Sequence, residues 1–258
     1  AFTLYYGIGY LGAAFILVAY RKEWHTFSNI AFWRSFFLFF VMLGFYKSFS
    51  TLVNICPALP PQACNYASKV FRYASRMLTI FLPAFLIWKL LDRQNPAGFF
   101  GINRQKFDWA PYGWMLVIMI PIIGLASFLP SFQNYYPIYQ KTYAHILADY
   151  LETPEWPLAL FYEISYALGF VNVELFFRGV LVWGMFRFLG KDAVLAMVAV
   201  YAMFHFGKPL GETISSVFGG FILGAISYQT RSIWGGICIH VSIAWLMELF
   251  AYLHTVTN

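Results

Sequence analysis

Charge is what this sequence lacks most. Asp, Glu, Lys and Arg make up 11% of its 258 residues, against about 25% in an ordinary soluble domain. With 60% hydrophobic residues and a mean hydropathy of +0.63, a soluble fold is excluded. The apolar residues fall in blocks near the length a helix needs to cross about 30 Å of hydrocarbon. A basic stripe is also absent. The net charge of +6 is spread one or two residues at a time between apolar blocks, so nothing follows a phosphate backbone and a nucleic-acid partner is excluded. No internal repeat suggests a transporter built from two related halves. The chain opens on Ala1 without a basic n-region, so no cleavable signal is expected. Cysteine is limited to three residues: Cys56 and Cys64 flank a Pro-rich loop, and Cys238 lies in an apolar block. The loop pair forms a disulfide if it faces an oxidising compartment and otherwise stays as free thiols.

What is present is lipid-compatible. The 29 Phe, 18 Tyr and 9 Trp suit acyl chains and headgroup interfaces. The pattern predicts an all-α, polytopic membrane helical bundle of about eight spans, near 2–20, 30–49, 70–91, 112–129, 157–188, 193–209, 213–230 and 233–253. All 258 residues read as one integral membrane domain, with 1–129 less diagnostic and 157–253 carrying the polar motifs. Two longer connections, 50–68 and 130–156, do not read as separate domains. Ser216, Gly220 and Gly224 recur at four-residue spacing and predict a close helix contact.

Ionisable residues at membrane depth cost at least about 2.5 kcal/mol each on insertion scales, so they persist mainly when paired, facing a cavity or functional. Glu174 and Arg178 lie in FVNVELFFRG, His205 in YAMFHFGKP and His240 in GICIHVSIAW. The i,i+4 spacing of Glu174 and Arg178 predicts an ion pair. One acid and two imidazoles are also a side-chain set that holds Zn²⁺ with a position open for water. There is no compact HExxH. Convergence of Glu174, His205 and His240 on one polar cavity open toward the cytoplasmic half is therefore an expectation separate from catalysis. Glu163 lies roughly 16 Å along the helix from Glu174. Glu248 follows His240 by about two turns. Each reads either as part of a polar cavity or as an interfacial acid.

Around these residues, over approximately 157–250, the sequence resembles the CPBP family of intramembrane metalloproteases. That family includes the CAAX prenyl endopeptidases and bacteriocin-processing or self-immunity proteins, and carries EExxxR, FxxxH and HxxxN or HxxxD motifs on separate helices. In VELFFRG, Glu174 matches the second acid and Arg178 the basic residue, with Gly179 after it. Tyr201 to His205 matches the second motif with Tyr for Phe, and His240 matches the start of the third. The resemblance implies Glu174, Arg178, His205 and His240 as catalytic residues, with Zn²⁺ on His205, His240 and Glu174. It departs at Val173, where the family has its first acid, and at Ala244, where it has Asn or Asp. The implied function is a metallo-endopeptidase acting on a membrane-associated or lipid-modified peptide. The alternative is a catalytically silent member serving as a membrane scaffold, assembly factor or subunit of a larger membrane complex. The expected surroundings are membrane lipids, in a bacterial inner membrane.

Lysine and arginine set the orientation, since positively charged loops stay cytoplasmic. Arg21 and Lys22, then Lys89, Arg93, Arg104 and Lys106, then Arg187 and Lys191, then Arg231 all fall on one side if the spans alternate. Both termini are then non-cytoplasmic. Lys69, Arg72 and Arg76 fall at the opposite end of the third span, where they snorkel, line a polar cavity or mark a shifted boundary. A Ser131→Cys variant should react with an impermeant thiol reagent from the non-cytoplasmic side; reaction from the cytoplasmic side alone would reverse the topology.

Overall fold

A computed structural model describes residues 1–103 and 108–257, without the side chains of residues 50, 51 and 257. Arg104 and Lys106, two of the cations used to orient the chain, lie outside the described residues. The chain is an all-α polytopic membrane bundle. The main helices are α1 (Phe2–Arg21), α2 (Ile30–Leu52), α3 (Pro61–Ala74), α4 (Leu82–Leu91), α5 (Ala110–Ala126), α6 (Trp156–Glu174), α7 (Ala193–Phe204), α8 (Leu210–Thr230) and α9 (Trp234–Thr257). Among the described residues, six helical stretches are long and apolar enough to cross a membrane. This refines the expectation of eight spans in two ways. Expected spans five and six lie in one apolar stretch, Trp156–Phe204, of 49 residues, broken by turns between α6 with its π-helical continuation and α7. The fourth is a helix of 17 residues, with Pro121 inside it.

The fold comprises two compact units, each assembled from three chain segments: 1–49, 77–107 and 172–236 in the first; 50–76, 108–171 and 237–258 in the second. In the first unit, a π-helical stretch, Leu175–Trp183, continues directly from α6. The chain turns after Gly184 and again through Gly190–Asp192 before entering α7. Helix α7 packs against α1, α8 and the π stretch. The α8 side of the contact with α7 is made by small residues, as their spacing predicts. A Cβ at Gly220 would lie 2.8 Å from the Tyr201 ring, and one at Gly224 would lie 2.8 Å from Met197 Cε.

Polar links gather four loops at one end of this unit. Arg21 pairs with Asp192 at 2.5 Å and Arg187 with Asp92 at 3.6 Å. The Ile233 amide donates to the Gly101 carbonyl, and the Asn103 amide donates to the Arg231 carbonyl. The loops whose cations set the expected orientation therefore share one end of the first unit.

In the second unit, α3 begins nine residues before the expected third span at 70. It buries Tyr66, Val70 and Tyr73, one face of a helix by the i, i+4, i+7 rule. Lys69 and Arg72 thus belong to an amphipathic helix, so the shifted-boundary reading holds. Arg76, just beyond its end, lies over the Tyr73 ring at 5.1 Å. The core gathers Tyr66, Tyr73, Tyr162 and Tyr166 with Leu147 and Ala244. The Tyr66 hydroxyl donates to the Leu158 carbonyl at 2.7 Å, as a buried phenol requires. A disulfide joins Cys56, ahead of α3, to Cys64 in its first turn.

The small-residue contact yields a paired prediction. Gly220→Leu should destabilise the protein by about 1–3 kcal/mol through overpacking on Tyr201. Gly219→Leu, whose Cβ meets nothing within 4 Å, should melt like wild type in detergent. Equal losses in the two variants would contradict the contact.

Candidate functional site

The site in the first unit is built where regular α-helix stops. Helix α6 ends at Glu174, and the next nine residues, Leu175–Trp183, are π-helical and entirely buried. Such segments are rare and often accompany functional residues. Two glycines make the packing feasible. A Cβ at Gly179 would come within 2.7 Å of the Phe100 carbonyl oxygen, so only glycine admits that loop backbone. A Cβ at Gly236 would run into the Glu174 carboxylate.

Glu174 and Arg178 form the expected ion pair. Arg178 Nη1 donates to Glu174 Oε1 at 2.8 Å, and both side chains are 0% exposed. At this burial neither charge is tolerable alone, because desolvation of an ion in a low-dielectric interior costs several kcal/mol. The Arg178 guanidinium carbon also lies 4.2 Å from the centre of the Tyr201 ring, a cation–π contact that strengthens when desolvated. Arg178 Nε and Nη2 have no hydrogen-bond acceptor among the described residues. The aromatic face therefore meets part of the charge that hydrogen bonds do not.

Tyr201 connects this pair to His205. Their ring centres are 4.5 Å apart, and His205 Nδ1 lies 2.8 Å from the Tyr201 carbonyl oxygen. With Nδ1–H donating to that carbonyl, Nε2 keeps its lone pair, the arrangement a metal-ligating or proton-accepting imidazole uses. His205 is 6% exposed. Immediately after α7, its own carbonyl accepts from the Thr213 hydroxyl at 2.9 Å. Lys208 and Glu212 pair one turn further on. Phe177 packs edge-on to Tyr201 at 5.0 Å.

Glu174, Arg178 and His205 thus belong to one unit and are joined through Tyr201. His240 belongs to the second unit, where it is half-buried with its ring 4.5 Å from that of Phe170. Both departures from the family motifs are core positions. Val173 is 9% exposed, and Ala244, 4% exposed, packs in the tyrosine-rich core of the second unit. Among the described residues no group of three or more His, Cys, Asp or Glu side chains is disposed to hold a metal ion. The acid that would join such a group in the first unit already binds Arg178 through Oε1. Within the first unit Glu174 and His205 do not by themselves compose a metal centre, and no chemical step is derived through one.

Sequence reading missed three contributors: Tyr201 as the bridge, and Gly179 and Gly236 as the spaces that admit the Phe100 carbonyl and the Glu174 carboxylate. A signal existed for two of them. An aromatic four residues before a histidine shares its helix face, and a glycine directly after a buried arginine marks close backbone approach. Gly236 had none, since its partner is distant in sequence.

No curated protein and no solved structure matches the chain. Residues 155–246 match the family model described as type II CAAX prenyl endopeptidase Rce1-like, a range that contains α6, the π stretch, α7, α8 and the first half of α9. This match supports the CPBP/CAAX protease family for that stretch of the chain.

Proposed function

We propose that this chain is a non-hydrolytic member of the CAAX endopeptidase family that binds a membrane-associated or lipid-modified peptide, as a scaffold or subunit of a larger membrane complex. One observation carries the reading: Glu174, the only acid the motif retains, is held at 0% exposure in an ion pair with Arg178. A carboxylate that activates water must reach that water and accept its proton. Glu174 instead balances a buried guanidinium, and transferring a proton to it would leave Arg178 uncompensated. Val173 and Ala244 add no proton acceptor and no oxyanion donor. The ion pair, the π stretch and the small-residue helix contact are then retained because they shape a binding surface within the bilayer.

The second reading, a zinc-dependent endopeptidase using Glu174, His205 and His240, is favoured by the Nε2 lone pair that the Tyr201 carbonyl leaves on His205. When bound, the metal would supply a water of lowered pKa as nucleophile.

The readings separate in one experiment. Wild type, Glu174→Gln and His205→Ala are reconstituted in liposomes with a prenylated, fluorescently tagged peptide, and binding and cleavage are both followed. The proposal expects wild type to retain the peptide over empty liposomes, with cleavage at the empty-liposome rate in all three. Cleavage by wild type that both variants lose, accompanied by zinc that His205→Ala lacks, would establish the endopeptidase instead.

A further inference from the structure

The second unit contains a cavity of about 290 Å³ that the family motifs do not include. Glu163 from α6 and Glu248 from α9 line it together with Tyr139, Trp245 and Tyr252. Glu163 lies seven residues beyond Trp156 and Glu248 eight before Val256, where the two spanning stretches have their ends. At about 1.5 Å per residue both carboxylates sit roughly 10–12 Å in from those ends.

The two acids are held differently. Both oxygens of Glu248 accept backbone N–H groups, from Ile138 at 2.9 Å and Tyr139 at 3.1 Å, and the residue is 7% exposed. Its position is fixed by the 130–156 connection. Glu163 bonds to the Trp245 side chain, while its Oε2 is shielded from solvent and has no hydrogen-bond partner among the described residues. Neither acid forms an ion pair within 4.0 Å among the described residues. The nearby cation Lys141 donates instead to the carbonyls of Asn134 at 2.6 Å and Tyr135 at 2.8 Å. Lys69 and Lys141 act on Glu248 only at longer range.

An ionised carboxylate only accepts hydrogen bonds, and two of them facing one poorly solvated space repel each other. What completes such a space is a cation carrying donors or a diffuse positive charge. A divalent metal asks for six or more oxygen ligands or a compact N/O/S set, and no three-residue ligand group exists among the described residues. Aromatic walls beside carboxylates suit an organic ammonium group, which gains attraction from the ring faces as well as from the charges. The volume, near the lower end for small-molecule sites, fits a headgroup-sized ion.

We propose that the Glu163–Glu248 cavity binds an organic ammonium group, presented by a zwitterionic lipid headgroup or by a water-borne amine. This site is separate from the Glu174–His205 site and does not rest on the reading of it.

The test uses the full chain in neutral detergent. The probes are tetramethylammonium chloride against equal NaCl, and phosphatidylcholine against phosphatidylglycerol in mixed micelles, with binding read by the shift in melting midpoint. Wild type should show a saturable stabilisation by tetramethylammonium that NaCl does not give. Glu163→Gln, which breaks no backbone hydrogen bond and keeps the side-chain shape, should raise the half-saturating concentration on the order of tenfold, the equivalent of about 1.4 kcal/mol. Glu152→Gln, an exposed acid outside the cavity, should leave it unchanged. A matching Glu163-dependent response to phosphatidylcholine supports the proposal with lipid as the source, and a response to tetramethylammonium alone supports it with a water-borne source. No saturable response beyond NaCl in wild type, or the same response in Glu163→Gln with an unaltered melting midpoint of the free protein, would overturn it.

Discussion

Two opposite charges with no access to solvent constrain the site more than any other contact. Glu174 and Arg178 are both 0% exposed and 2.8 Å apart. A buried pair adds little net stability compared with apolar residues of similar shape, whereas either charge alone is strongly destabilising. The surrounding structure therefore has to keep the pair together and dry. The absence of side chains at Gly179 and Gly236 lets the Phe100 carbonyl and the Glu174 carboxylate approach their neighbours. The ring of Tyr201 covers the guanidinium face, and the missing side chain at Gly220 gives that ring its space. A change at any of these positions acts on the charges indirectly.

The same arrangement bears on chemistry. Through Tyr201 the ion pair reaches His205, whose Nδ1 contact fixes the ring and its tautomer, with the lone pair on Nε2. The imidazole is thus poised while the acid is committed to its partner. On the proposed reading, this asymmetry, with apolar residues at Val173 and Ala244, is what favours binding over hydrolysis. The ammonium-binding cavity in the second unit draws on the opposite electrostatic condition: two carboxylates without an ion-pair partner among the described residues.

Much of the fold was legible because its causes are local. Apolar block length gave the membrane class and most spans, i,i+4 spacing gave the Glu174–Arg178 pair, and Ser216, Gly220 and Gly224 gave the α7–α8 contact. The pair forms even though Arg178 lies in a π stretch, because a long guanidinium side chain absorbs the altered turn. The unread features depend on partners remote in the chain. Hydropathy did not distinguish α3, which buries only one face, from the span it adjoins. Nothing near Gly236 indicated that Glu174 would rest against it. The placement of Glu163 and Glu248 in one cavity follows from the packing of α6 and α9 in the second unit, where their separate positions had suggested either cavity walls or interfacial acids.

The central claim is that Glu174 and Arg178 depend on each other energetically. A double-mutant cycle with Glu174→Gln, Arg178→Met and the double variant, read as unfolding free energy in detergent, tests it most directly. Each single change should cost about 3–5 kcal/mol, and the double variant should be more stable than either single, so that the coupling exceeds either single loss, at about 3 kcal/mol or more. Additive losses, with the double variant the least stable of the three, would show that the two charges do not sustain one another and would contradict the account.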